Sequence, residues 1–341
     1  MTETIKIPAL FDHPINLASP RLGSQTVRAT DEFFAAKERM LLDAAPVFIK
    51  DKFDTHGKWM DGWESRRRRD GGHDWCLIKL GLHGRIRGVD IDTSHFTGNY
   101  PPAASIEACL SADEPDETTQ WQEIIPAATL GPSAHHFLEA VDRGPWNWLR
   151  LNLYPDGGVA RLRVYGNAAP DWVSADLTSL HELSGLKNGG RVIAYNDAHY
   201  GEVWAILSEG RGLNMGDGWE TRRRREPGND WLIVKLGAIG TVERIEVDTA
   251  NFKGNFPDRF SVQAANVTPG TDQSVVIQSM FWDTLIGEQP LTADAIHSFK
   301  GADIKALGPI SHVRLNIFPD GGISRFRVFG RLTMENTADG A

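Results

Sequence analysis

Cysteine is nearly absent: Cys76 and Cys109 are the only two in 341 residues. That is too few for a disulfide framework. In the internal repeat described below they face Leu232 and Ala265, so a bridge would exist in one half alone. Both therefore read as buried, reduced thiols of an intracellular protein. No apolar run approaches the ~20 residues that span a bilayer. The stretch from Met1 to Leu17 holds Pro8, Asp12 and Pro14 and no continuous apolar core, so it makes a poor secretory signal. Glycine-rich phosphate loops, G-x-G-x-x-G and the G-x-S-x-G elbow are missing, which argues against nucleotide or organic cofactors. Also missing are H-E-x-x-H, C-x-x-C and facial-triad spacings, and the adjacent His135–His136 does not replace them, so no metal is expected. Basic residues are in deficit, 36 against 45 acidic, for a net charge of −9. A general nucleic-acid binder needs the opposite balance. Any anionic ligand must be held by a local basic cluster working against the overall field.

What is present is an ordinary globular balance, 41% hydrophobic and 24% charged, in a chain long enough for about two domains. Those domains are copies of each other. Asp61–Gly81 (DGWESRRRRDGGHDWCLIKLG) returns as Asp217–Gly237 (DGWETRRRREPGNDWLIVKLG) at a shift of 156, with 14 of 21 residues identical. Val89–Pro101 returns as Ile245–Pro257 at the same shift. Leu149–Gly166 returns as Val313–Gly330 at a shift of 164, with 11 of 18 identical, so the second copy carries eight extra residues in between. Leu17–Phe34 aligns with Leu183–Tyr200 at a shift of 166, bringing Asp31 onto Asp197. A repeat of this length is a whole domain rather than a solenoid unit. The expected boundaries are residues 10–168 and 176–332, with a linker near Asn167–Ala175 and a disordered tail over 333–341.

The pattern within each copy is β. Trp75–Leu80 and Trp231–Leu236 are short apolar runs ending in glycine, as in strands covered on both faces. Leu149, Leu151 and Leu153 alternate with Arg150, Asn152 and Tyr154, a strand with one core face. Pro-Asp-Gly-Gly follows as a turn, and Leu162 and Val164 alternate with Arg161, Arg163 and Tyr165, which suggests a hairpin. Only Asp31–Leu42 and Asp197–Leu207 look loosely helical. The expected fold is all-β: two tandem jelly-roll β-sandwiches.

Three clusters carry candidate chemistry. In Trp63-Glu64-Ser65-Arg66-Arg67-Arg68-Arg69, an extended backbone puts Glu64, Arg66 and Arg68 on one face. Glu220, Arg222 and Arg224 match them. Four adjacent like charges need anionic partners, and a guanidinium fork suits a carboxylate ligand. The alternative is a solvated strand paired to surface acids. The second cluster is the turn at His95–Pro101, with Asn99 able to offer its amide to a ureido or carboxylate group. Its counterpart is Asn251–Pro257, with Asn255. Here the alternative is a loop held by its own asparagine. His95 has no histidine counterpart. The third pairs Arg150 and Asn152 with Asp156, and Arg314 and Asn316 with Asp320, and reads as structural. His135-x-Phe137 is set against His297-x-Phe299.

The doubled DGWE-[S/T]-RRRR, DT-x-x-F-x-GN-aromatic-P and RLN-x-aromatic-PDGG motifs resemble the allantoicase (allantoate amidinohydrolase) family from about residue 10 to 332. More distantly, W-x-x-x-K-L-G and R-x-R-V-aromatic-G are similar to discoidin-type, galactose-binding-domain-like jelly rolls. The first resemblance implies a hydrolase of purine degradation that converts allantoate and water to ureidoglycolate and urea without a cofactor. It supports the motif positions as a group. Within them, Arg66, Arg68, Arg222 and Arg224 suit the substrate carboxylate, and Asn99 and Asn255 suit the ureido groups. Glu64, Glu220 or His95 suits proton transfer to the departing nitrogen. A cytoplasmic homo-oligomer that binds neither membrane nor nucleic acid is expected. Two other classes stay open: a tandem jelly-roll ligand-binding protein, and an inactive allantoicase-like assembly protein. Glu107/Gln263 and His95/Asn251 differ between copies, so the halves need not be equivalent.

Overall fold

The structure is a computed structural model that describes residues 15–267 and 271–333. Residues 10–14 of the expected first repeat, and the expected tail beyond Thr333, lie outside the described residues. The chain divides into two compact units between Ala169 and Pro170.

In the first unit the main strands are β1 (Gln25–Ala29), β2 (Asp74–Asp92), β3 (Ala103–Cys109), β4 (Gln122–Thr129), β5 (His135–Glu139), β6 (Trp146–Tyr154) and β7 (Arg161–Ala168). All pairings are antiparallel. The N-terminal half of β2 lies between β1 and β6, and β3 and β4 extend that layer beyond β6. The C-terminal half of β2 lies between β5 and β7, with Ile15–Asn16 at the edge. One 19-residue strand therefore serves both layers of the sandwich.

The second unit repeats this with β8 (Arg191–Tyr195), β9 (Asp230–Asp248), β10 (Arg259–Ala265), β11 (Asp283–Pro290), β12 (Ile296–Lys300), β13 (Pro309–Phe318) and β14 (Arg325–Leu332). Here β9 is the shared strand, paired to β8 and β13 in one layer and to β12 and β14 in the other.

The core follows from the period of two. Cys76, Ile78, Leu149, Leu151, Leu153, Leu162 and Val164 all have 0% exposure. Their counterparts Leu232, Val234, Val313, Leu315, Ile317, Phe326 and Val328 do too. Each such aliphatic or aromatic side chain contributes roughly 1.5–3 kcal/mol through burial. The jelly-roll expectation holds.

Three local expectations are corrected. Pro155–Gly158 does not close a hairpin between β6 and β7. Those strands pair with opposite halves of β2, so the turn carries the chain from one layer to the other. In that turn Gly157 has a φ of 144°, and a Cβ on Gly158 would run into the Phe96 ring. The helical reading of Asp31–Leu42 and Asp197–Leu207 shrinks to 3-10 turns at Lys37–Leu41 and Val203–Leu207. An unexpected α-helix, α1 (Asp272–Ser279), lies between β10 and β11. Ladder register puts Gln122 opposite Ala108 and Asp283 opposite Ala264, so the shift grows from 156 to 161 and five of the eight extra residues fall here. On α1, Val275 packs on Ile193 and Ile233 with Trp231 and Trp282, covering the outer face of that sheet. The matching face of the first unit carries an open cavity of about 650 Å³ lined by Arg28, Trp75, Trp121 and Arg150. Among the described residues, no helix is long and apolar enough to cross a membrane.

The alternation also predicted Arg161 outward, yet it is 1% exposed. Its Nη2 donates to Asp61 Oδ2 at 2.8 Å, Nη1 to the Asp61 and Ala160 carbonyls, and Nε to Ala44 O. Arg325 repeats the arrangement with Asp217, Ser324 and Gly210. Burial, with help from the Arg327 charge, pulls Arg325 down to about 10. Removing one partner of such a pair strands the other charge. Arg161→Ala should therefore destabilise the first unit by about 3–5 kcal/mol. Thermal unfolding would check this: a loss comparable to a surface substitution would show that the pair does not anchor the fold.

Candidate active site

The candidate residues gather at one end of each sandwich. In the first unit the two-residue strand Trp63–Glu64 pairs with Gly158–Val159 on one side and meets Ala35 on the other. Trp63 is fully buried, and its Nε1 donates to Asp31 O at 2.8 Å. That anchor fixes the side chains which follow. Glu64 is 8% exposed, and Asn99 Nδ2 donates to its Oε1 at 2.6 Å. Asn99 is itself placed by its carbonyl, which accepts from Gly158 N at 2.7 Å. Burial pushes the Glu64 carboxyl above its ordinary value, while the Asn99 hydrogen bond pulls the other way. In the second unit Asn255 Nδ2 donates to Glu220 Oε1 at 2.5 Å, and Glu220 is only half-buried. Met215 Sδ lies 3.8 Å from the same amide. The residue that takes the left-handed backbone in each turn is His95 or Asn251, both at φ 70°, rather than Asn99 or Asn255.

The four arginines separate into two kinds. Arg66 donates from its backbone N to Asp31 Oδ1 at 2.9 Å and from Nε to Oδ2 at 2.7 Å, with Nη2 also on Oδ2. Its guanidinium stands 5.1 Å from the Phe33 ring centre, and Nη1 is left outside the ion pair. Burial would raise the Asp31 carboxyl, but the Arg66 hydrogen bonds outweigh it and hold it below its ordinary value. Arg222 and Asp197 repeat this pairing at 2.7–3.1 Å.

Arg68 engages all three guanidinium nitrogens: Nη1 with Asp74 at 2.7 Å, Nε and Nη2 with Asp70 at 2.7 and 3.0 Å. Its backbone N donates to Asp156. Arg224 pairs with Asp230 through Nη1 at 2.7 Å, and its backbone N donates to Asp320. These two therefore fasten the loop to the sheet end. Arg67, Arg69, Arg223 and Arg225 are exposed, and among the described residues none has a hydrogen-bonded or ionic partner.

His95 lies apart from Glu64 in its contacts. Its Nε2 is 3.3 Å from Pro46 O, and its ring is 5.8 Å from that of Phe48. Arg150 and Asn152 bond Glu107 at 2.8–2.9 Å on the outer sheet face, so their acidic partner is Glu107 rather than Asp156. Gln263 takes that place in the second unit and accepts from Asn316.

The histidine match also shifts by one. His136 and His297 stand opposite Ile91 and Val247, and each ring reaches the carbonyl of that residue. His135 corresponds to Ile296 and instead bonds Asp90 at 2.7 Å. Among the described residues, no three or more His, Cys, Asp or Glu side chains are grouped to hold a metal ion. Asp31 and Asp197 are site residues to which sequence reasoning gave no role, although the repeat alignment had already superposed them.

Fold and site define a duplicated jelly-roll protein with a Glu–Asn pair and a carboxylate-oriented arginine at one sandwich end of each repeat, the acid being buried in the first. The family model for the allantoicase repeat matches residues 15–169 and 181–333. A probable allantoicase 1 of Burkholderia mallei is 59% identical over 93% of this chain and 94% of that one. A probable allantoicase of Ralstonia nicotianae is 56% identical over 93% and 94%. The crystal structure of allantoicase from Saccharomyces cerevisiae matches with a TM-score of 0.77 and 34% identity, covering 94% of each chain. The chain belongs to the allantoicase family.

The two kinds of arginine should behave differently. Arg68→Ala leaves Asp74, 2% exposed, without its counterion. The melting temperature should fall clearly, though less than for a fully buried pair because the guanidinium keeps some solvent contact. Arg67→Ala and Arg69→Ala should stay within about 0.5 kcal/mol of the parent. Equal melting temperatures for all three variants would refute the division.

Proposed function

We infer that this chain is an allantoicase, hydrolysing allantoate to ureidoglycolate and urea. The observation that carries the reading is the coincidence of family membership with a Glu–Asn pair beside an oriented guanidinium, present twice and buried in the first repeat. In the reaction the bond between the central carbon and one ureido nitrogen breaks. Water supplies the hydroxyl to that carbon, and the nitrogen leaves in urea with an added proton. The open Nη1 edge of Arg66, or of Arg222, takes the substrate carboxylate, and Asp31 or Asp197 holds the guanidinium at the required angle. Arg68 and Arg224 contribute by fixing the loop. Glu64 or Glu220 delivers the proton to the departing nitrogen, and burial suits Glu64 to stay protonated higher into the pH range than a free glutamate. Asn99 and Asn255 orient that carboxyl and offer their amides to a ureido oxygen. His95, held by Pro46 and Phe48, is the weaker proton-transfer candidate.

The units that carry this chemistry are residues 10–168 and 176–332. No nucleotide, organic cofactor or nucleic-acid ligand is part of the reading. A cytoplasmic location fits the two free, buried cysteines, whose thiols burial pushes upward, Cys109 to about 11. A homo-oligomeric assembly is proposed with it.

The purified chain should release urea from allantoate with no added nucleotide or organic cofactor. Absence of urea under those conditions would overturn the assignment.

Glu64→Gln should lower kcat by roughly 10²–10⁴-fold. An acid must be protonated to act, so the Glu64-dependent part of kcat falls as pH rises through its elevated pKa. Asn99→Ala removes the donor that favours the charged form, so that descending limb should move to higher pH. A pH–kcat profile with an unmoved limb would exclude Glu64 as the acid.

A further inference from the structure

The two copies differ beside the site. The repeat shift drops from 166 at Phe34/Tyr200 to 156 at Asp61/Asp217, so the first copy has ten additional residues between its 3-10 turn and its site strand. They belong to a strap, Leu42–Trp59, which includes a small hairpin of Phe53–Asp54 with Gly57–Lys58. The second copy has only Ser208–Met215 in its place.

The strap is held at its root by the buried Arg161–Asp61 pair. Arg161 Nε takes Ala44 O at 2.8 Å, and Val47 N donates to Asp61 Oδ2 at 2.9 Å. Its tip then reaches the Arg66 side of the site. The His56 ring lies 4.4 Å from that of Phe33, the ring over which Arg66 stands. Asp54 Oδ1 accepts from His56 N at 2.9 Å, which fixes the tip. Between strap and frame is a cavity of about 420 Å³, lined by Asp31, Phe33, Phe34, Asp54, His56 and Arg66 among others. Glu64 sits two residues before Arg66 along the same chain.

We propose that this strap completes the substrate pocket of the first repeat, with Phe33 and His56 stacking on a planar ureido arm while Arg66 takes the carboxylate. The inference rests on the allantoate reading above and adds to it which groups recognise the arm that is not being released. A ureido group is flat, with a π face and an edge of N–H donors. An aromatic wall with a carboxylate beside it, as Phe33, His56 and Asp54 provide, matches both features. The second repeat has His199 and Tyr200 at the positions of Phe33 and Phe34, with no strap to oppose them. The same frame therefore binds the substrate less completely there.

The test uses the full chain and steady-state urea release from allantoate. His56→Ala and Phe33→Ala should each raise KM about tenfold while kcat stays within twofold. Both side chains are exposed, so the melting temperature should not move. His56→Phe, which keeps a flat ring, should restore a near-parental KM. His199→Ala should leave KM unchanged. Unchanged KM in His56→Ala and Phe33→Ala, with an active parent, would overturn this proposal and leave the assignment intact. Failure of His56→Phe to rescue would overturn the stacking role. No urea from the parent would overturn the assignment and this proposal with it.

Discussion

A guanidinium with 1–2% exposure organises each repeat from beneath. Arg161 has five donors and no solvent to satisfy them, so the backbone around it is arranged as acceptors: Asp61 through side chain and carbonyl, Ala160 and Ala44 through carbonyls. A buried charge left unmatched is costly, and this requirement constrains geometry more tightly than apolar contact does. It ties β7 to the segment that begins the site and to the root of the strap. Arg325 imposes the same arrangement on the second repeat through Asp217, Ser324 and Gly210. Two residues further on, Trp63 and Trp219 bury their rings and donate to Asp31 and Asp197 carbonyls, so the site strand inherits a fixed position.

In the loop that leaves that fixed strand the arginine run becomes a set of different tools. Alternation sends Arg66 and Arg68 to the acid-bearing side, where Asp31 and Asp74 receive them. Arg67 and Arg69 are left in solvent. Repulsion within the run is thus relieved by partners on one face and by water on the other. An ion pair that is mostly exposed, as for Arg66, contributes little to stability but sets an angle. An ion pair onto a buried carboxylate, as for Arg68, contributes to the hold of the loop instead. The division between orienting and fastening rests on the exposure of the acid partner, 14% for Asp31 and 2% for Asp74.

Duplication preserved this frame and let its margins diverge. The first repeat carries a strap over the site end, and the second carries α1 over the outer sheet face. Each addition lies in a connection between strands, where extra length costs little loop entropy and leaves the core undisturbed. The strap, together with substitutions such as Phe33/His199 and His95/Asn251, distinguishes the two sites where the shared frame does not.

The repeats, the β class and the inward faces of β2, β6 and β7 were legible in the sequence. A period of two maps directly onto burial when one face meets a core, as Leu149, Leu151 and Leu153 demonstrate. The motif block also located Glu64, Asn99 and the arginines as one neighbourhood. Pairing between distant strands was not legible. Pro155–Gly158 looks like a hairpin turn, but nothing local reveals that β2 supplies a different half to each flanking strand. Nor does alternation reveal a buried arginine, because its outward position is filled by Asp61 from a segment 100 residues away. The one-residue slip between His135 and His136 had the same origin: sequence spacing counted an insertion that only the ladder register with Ile91 and Val247 could place. Local chemistry determined which elements form and which face is apolar. Long-range partners decided where the charges go, because a carboxylate's effect on an arginine depends on distance and burial, and both belong to the folded chain.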